Sequence, residues 1–239
     1  MTAAGKEARM TAARRYAWLL AALVVVLGTQ PLLPRGSVAS NALYDAMVAG
    51  LVVGVFFAVF RRGWERQAGG ALVLPAVVSN VVHYLLPEGL HTVVAAVYHV
   101  SIVAFVGFAI GVILRDIFRQ RAIGAGDVLG AFAGYILVGV AWGNLYVLAE
   151  LFVPGSFVVS PAIASRVEEW HQQRALFDYF SFTTLTSLGF GDITPIAPPA
   201  TTLSWLEVMS GQFYMAVVVA QIVGLMLAQA VGRRGPDED

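Results

Sequence analysis

No cysteine occurs among the 239 residues, which excludes disulfides and thiolate metal sites. Charge is scarce too. Only 13% of the residues are charged, against about 25% in a soluble domain, and 58% are hydrophobic. Fifteen basic and fifteen acidic residues cancel, so the net charge says little about partners. No internal repeat and no low-complexity tract is present, and no nucleic-acid partner is expected. A chain this apolar has the bilayer, rather than water, as its main solvent.

What the chain does have is long apolar runs. A hydrocarbon core of ~30 Å asks for about 20 consecutive apolar residues per helix. Such stretches lie at about 16–34, 42–60, 68–86, 91–114, 125–153 and 203–231. Six spans of an all-α membrane protein are therefore expected. The basic residues between them set the orientation, because Lys and Arg stay on the cytoplasmic side. Lys6, Arg9, Arg14, Arg15, Arg61, Arg62, Arg66, Arg115, Arg119, Arg121, Arg233 and Arg234 fall on one face, and only Arg35, Arg166 and Arg174 on the other. Both termini are thus expected in the cytoplasm of a cell bounded by this inner (plasma) membrane. The basic start, the apolar run from Tyr16 and the small residues SVAS at 37–40 also fit a cleavable signal, but the run exceeds the ~7–15 apolar residues of such signals. Cleavage would leave the orientation of the other five spans unchanged.

The fifth and sixth spans are separated by two chemically different stretches. Residues 154–174 are polar, broken by Pro154 and Pro161, and read as an extracellular segment. Residues 175–187, ALFDYFSFTTLTS, are apolar and aromatic but too short to cross, so they form either a core helix or a re-entrant segment. They run straight into LGFGD. Irregular backbone at membrane depth is tolerated only where protein buries it or where it lines a watery cavity.

The half-helix, the hydroxyl pair Thr186–Ser187, the run Leu188-Gly189-Phe190-Gly191, then Asp192 and Pro195 before a last long span, together resemble the pore loop of tetrameric potassium channels. TSLGFGD stands where that family usually has TTVGYGD. LSWLEVMSGQFYMAVVVAQIVG at 203–224 looks most like the bacterial two-helix ion-channel family, and the likeness covers about residues 125–231. The chemistry behind the motif is dehydration: rings of backbone carbonyls replace the water of a permeating ion. Aiming successive carbonyls at one axis needs positive φ, which Gly189 and Gly191 adopt at little steric cost. Ser187 adds a hydroxyl at the inner end, and five extended residues span ~15 Å, room for several ions in file. One loop per chain implies a homotetramer.

The resemblance implies roles for further residues. Thr186 to Gly191 would bind potassium, with sodium also possible, and no other cofactor or metal is expected. Asp192, Glu150, Tyr179, Phe180, Thr183 and Thr184 would support the loop, Glu150 by bracing the backbone behind it. Gly211, sixteen residues after Pro195, stands at the gating hinge, with Gln212 and Met215 facing the cavity below. Glu207, one turn earlier, would face the pore helix and take donors from Thr183 and Thr184. Two departures matter. Phe190 lacks the hydroxyl of the usual Tyr, so the filter would be held outward by packing on Tyr179 and Phe180 alone, worth ~0.5–1.5 kcal/mol beyond area burial. Thr183 stands where some members carry Glu. Potassium is therefore expected to be preferred over sodium less strongly than with TVGYG.

Residues 1–121 form a four-helix region, 122–234 the pore domain and 235–239 a short acidic tail. A voltage sensor needs several charges in the membrane, since each contributes only ~2.3 kcal/mol per 100 mV. The fourth span has none before Arg115, so weak voltage dependence is expected. Arg115, Arg119 and Arg121 read as a cytoplasmic connecting segment that meets anionic lipid. The few polar residues after Val231 leave no room for a soluble ligand-binding domain. Asn80, His83 and His99 are polar positions inside spans; the two histidines lack a ligand spacing and read as hydrogen-bonded packing residues rather than metal or haem ligands. Two rivals stay open. A potassium-uptake transporter subunit usually carries four unlike loops in one chain, and a non-conducting scaffold leaves Thr186–Asp192 unexplained. An enzyme is not expected.

Overall fold

In a membrane every backbone polar group must be satisfied within the protein, and helices do this over each apolar run. The computed structural model describes residues 3–32, 38–83, 87–120, 122–164 and 170–233, and most of them are helical. The helices are α1 (Ala3–Thr29), α2 (Val38–Val59), α3 (Gly63–His83), α4 (His91–Arg119), α5 (Ala125–Phe152), the single turn α6 (Pro161–Ala164), α7 (Trp170–Leu185) and α8 (Pro198–Arg233). By length and composition α4, α5 and residues 198–231 of α8 can cross a membrane, and Leu43–Val59 of α2 is a shorter apolar helix. Helix α3 is diluted by its charged start and by Pro75.

Helix α5 lies at the centre, with α1, α4, α7 and α8 all packed along it. One core joins the N-terminal helices to α5 through Leu23, Phe60, Phe105, Ile113 and Leu137, and reaches α8 at Tyr214 and Val218. A second surrounds α7 with Tyr146, Val147, Leu176, Phe177, Phe180 and Ile193. Small residues allow the close approach of α7, as is usual between helices in lipid. A Cβ added at Gly139 would lie 2.6 Å from the Phe182 ring, and one at Gly143 would lie 2.5 Å from Asp178 Oδ1.

The structure corrects two expectations. The polar stretch 154–174, expected as an extracellular segment without assigned elements, supplies β1 (Phe157–Val159), α6 and the first turn of α7. Strand β1 pairs antiparallel with β2 (Ile193–Pro195), setting Phe157 opposite Pro195. The supposed connecting segment is helix as far as Arg119. Arg115 turns inward, its Nη2 2.6 Å from Oε1 of Glu65, which is 1% exposed. Glu65 Oε2 also accepts the backbone N–H groups of Arg61 at 2.9 Å and Arg62 at 3.1 Å, which caps α3. Burial alone would raise the pKa of Glu65, but the hydrogen bonds from Arg115, Arg62 and Arg61 outweigh it and hold the group below its ordinary value.

His99 is buried with Nδ1 2.8 Å from Asn144 Oδ1, and the Asn144 amide donates to the Val140 carbonyl at 2.7 Å. It is a hydrogen-bonded packing residue. The side chain of His83, Arg121, Arg166 and the tail 235–239 lie outside the described residues. Asn80 lines an apolar cleft of about 410 Å³ between α2, α3 and α4.

Candidate functional site

Helix α7 ends where its last carbonyls are used to turn the chain. Thr183 O accepts the N–H groups of Leu188 at 2.8 Å and Gly189 at 3.2 Å, and Thr184 O accepts that of Ser187 at 2.9 Å. Beyond that turn the backbone alternates. Ser187 has φ 60°, Gly189 φ 55° and Gly191 φ 74°, while Leu188 and Phe190 between them keep negative φ. Reversing the backbone hand at every second residue is a conformation in which successive carbonyls can share one side of the loop. The glycines adopt this freely. Ser187 does not, at about 1–2 kcal/mol for an L-residue, and Gln212 of α8 donates from Nε2 to its Oγ at 3.1 Å. Residues 186–191 are exposed in the single subunit. The Thr186 hydroxyl donates back to Phe182 O at 2.6 Å.

The outer end of the loop is tied down by hydrogen bonds. Tyr179 donates its hydroxyl to Asp192 Oδ2 at 2.6 Å, and Ser160 N–H donates to Asp192 O at 2.8 Å. Packing alone was expected to hold this end, and the structure corrects that. Phe180 stacks edge-on against Tyr146 at 4.9 Å and Phe157 at 5.4 Å, and Phe190 is 66% exposed. Glu150 is also placed differently. Its oxygens accept from Gly155 N at 2.7 Å and Ser156 N at 2.9 Å, so it grips the turn before β1 and reaches the filter loop only through the strand pair.

Behind the loop lies Glu207, with no exposed surface. Its partners are the Tyr146 hydroxyl and Ser181 Oγ, the latter at 2.5 Å. Thr183 and Thr184 were the expected donors. Thr183 instead donates to Phe180 O at 2.9 Å. For Thr183 the reason is helical phase, since the two residues from Ser181 rotate a side chain by about 200° around α7. Gly211 is buried, and a Cβ there would stand 2.7 Å from Leu185 O. Helix α8 runs unbroken past it, in close contact with the end of α7 at this position. Gln212 and Met215 are exposed. Three further bonds bind α5 to its neighbours: Trp142 Nε1 to Ser210 Oγ at 3.0 Å, Tyr135 Oη to Leu185 O at 3.3 Å and Tyr214 Oη to Ala131 O at 2.7 Å. Sequence reasoning missed Ser181, Tyr146, Trp142 and Ser210. Their common signal is a polar group on the inner face of an apolar helix.

A helix too short to span, an exposed loop of alternating hand and a bare apolar helix after it form a unit. Residues 146–228, which hold that unit, match a family model described as "Ion channel". By that match the segment is similar to an ion-channel domain. No curated protein and no solved structure matches the chain. The matched residues take in the outer end of α5, the short helix α7, the loop after it and most of α8. The chemistry of the matched family is passage of ions, which is not enzymatic.

Proposed function

We propose that four copies of this chain surround one pore and pass potassium, with some sodium, passively down its gradient across the plasma membrane. In this reading α1 to α5 and α8 are six spans with both ends in the cytoplasm, supported by the twelve-to-three split of basic residues. The observation that carries the proposal is the alternation at Ser187, Gly189 and Gly191. Carbonyls brought to one side of the exposed loop by that alternation would supply the ring of oxygens that a cation stripped of water needs. A single subunit supplies one wall of that ring. Ser187 Oγ, bound by Gln212, would add the innermost oxygens, and Met215 one turn below would face the cavity. Leu188 and Phe190 would then point away from the axis, towards the pore helix or a neighbouring copy.

Potassium flux into liposomes carrying the purified protein tests the reading, together with the oligomer mass in detergent. Tetramers that conduct support it. A monomer or dimer removes the pore and leaves a scaffold, and flux that needs a coupled ion favours a transporter subunit.

A further inference from the structure

The hydrogen bonds around Glu207 require a count of protons. Its carboxyl is one of four groups in a chain of oxygens that crosses three helices. The Tyr146 hydroxyl of α5 meets Oε2. Ser181 Oγ of α7 lies 2.5 Å from Oε1 and 2.7 Å from the Gly139 carbonyl of α5. These are three short oxygen–oxygen contacts. Tyr146 and Ser181 bring one proton each, and a carbonyl brings none. With Glu207 ionised, one of the two contacts at Ser181 would set lone pairs face to face. With Glu207 protonated every contact holds one hydrogen: Tyr146 donates to Oε2, Oε1–H donates to Ser181, and Ser181 donates to Gly139 O. Burial argues the same way. Glu207 has no exposed surface, and among the described residues no Lys, Arg or His forms an ion pair with it. A buried carboxylate without such a partner is strongly disfavoured.

From this geometry we propose that Glu207 is held as a neutral carboxylic acid that gives its own proton to Ser181. It is a positioning residue, tying the inner helix to the pore helix and outer helix behind the loop. Its neutrality has a functional meaning that rests on the conduction reading above. A charged carboxylate behind the filter would compete with the carbonyls for the cation, and a neutral acid fastens the pore helix without doing so.

Infrared difference spectroscopy of the full-length protein in lipid tests this. Wild type minus Glu207→Gln should show the carbonyl stretch of a protonated carboxylic acid at neutral pH. Ser181→Ala should shift that band upwards, because the acid loses its acceptor. Glutamine keeps a donor for Ser181 and an acceptor for Tyr146, so Glu207→Gln should assemble and melt like wild type, whereas Glu207→Ala should melt lower. Absence of the band in wild type, or a band that neither substitution alters, would overturn the proposal. Should Glu207→Gln fail to assemble, the Ser181→Ala shift decides alone. None of these readouts needs ion flux, so a protein that shows the band without conducting refutes the proposed function and leaves the proton assignment standing.

Discussion

The pore half and the N-terminal half are built from the same apolar alphabet but are fastened differently. From α5 onward, side-chain hydrogen bonds link each element to the next: Tyr146 and Ser181 to Glu207, Tyr179 to Asp192, Trp142 to Ser210, Tyr214 to Ala131 O. From α1 to α4 the joints are mainly aromatic and aliphatic, such as Phe60 against Phe105 at 5.6 Å, with polar knots at Glu65 and Arg115 and at Gln30 and Tyr44. Lipid tails are as apolar as leucine, so burying an aliphatic face against another helix brings little drive in a membrane. Packing then holds helices together without dictating ångström positions. Directional bonds do dictate them. The half that must aim carbonyls has many such bonds, and the half that need not leaves an open cleft beside α2 and α3.

The comparison makes ranked demands. The largest effect belongs to Gly189→Ala, which forces a side chain into φ 55° and misdirects a carbonyl. Potassium flux in liposomes should fall to background while the oligomer persists; wild-type flux would sink the carbonyl filter. Next is Gly211→Ala, whose Cβ meets Leu185 O at 2.7 Å. Overpacking of about 1–3 kcal/mol should lower the melting temperature of the assembly and reduce flux together. An unaffected melt would show that α8 is free to slide against the pore helix.

Glu65→Gln is the strongest break available in the other half, at about 1–3 kcal/mol from lost charge-assisted hydrogen bonds. It should lower the melting temperature without changing potassium selectivity. Because the folded-state pKa of Glu65 is lowered, its stabilisation is present above the ordinary carboxylate value and is lost as pH falls through the folded one. The gap between wild type and Glu65→Gln should therefore be full at neutral pH and close in acid. A gap that stays constant down to pH ~3 would contradict the ion pair.

Tyr179→Phe removes one exposed bond, roughly 1 kcal/mol, and should reduce the preference for potassium over sodium in bi-ionic reversal potentials. Phe190→Tyr should raise it. The smallest effect is assigned to Val77→Ala on the wall of the cleft, within about ±0.5 kcal/mol and with unchanged flux. A large loss there would mean that the N-terminal half is as tightly specified as the pore.

What was legible in the sequence is what local chemistry decides. TSLGFGD could be read because positive φ selects glycine, and a helix too short to span is visible in its length. Ser187 shares the left-handed backbone, yet nothing about serine announces it; the turn at Thr183 and Thr184 and the reach of Gln212 impose it. The donors to Glu207 were assigned to the wrong residues because the hydroxyls nearest the motif are not those on the facing side of α7. The strands at 157–159 and 193–195 are three residues each, too short to carry a period, and they exist through partners far along the chain. Glu150 followed the same pattern, its charge recognised and its target missed. The number of spans remains clearest where the runs are purest, at α4, α5 and α8.

Pairing Phe157 with Pro195 has a consequence for assembly. The ribbon closes a ring of chain that contains the pore helix and the whole filter, and Glu150 locks the entrance to that ring from the end of α5. The entropy of closing it is offset by contacts made within one subunit. If four copies assemble as proposed, each would bring its loop already shaped, and oligomerisation would join finished quarters instead of folding a loop at a fourfold junction. The slow, concentration-dependent step would then be the meeting of subunits, and dilution in lipid should delay the appearance of conduction without delaying the folding of the loop.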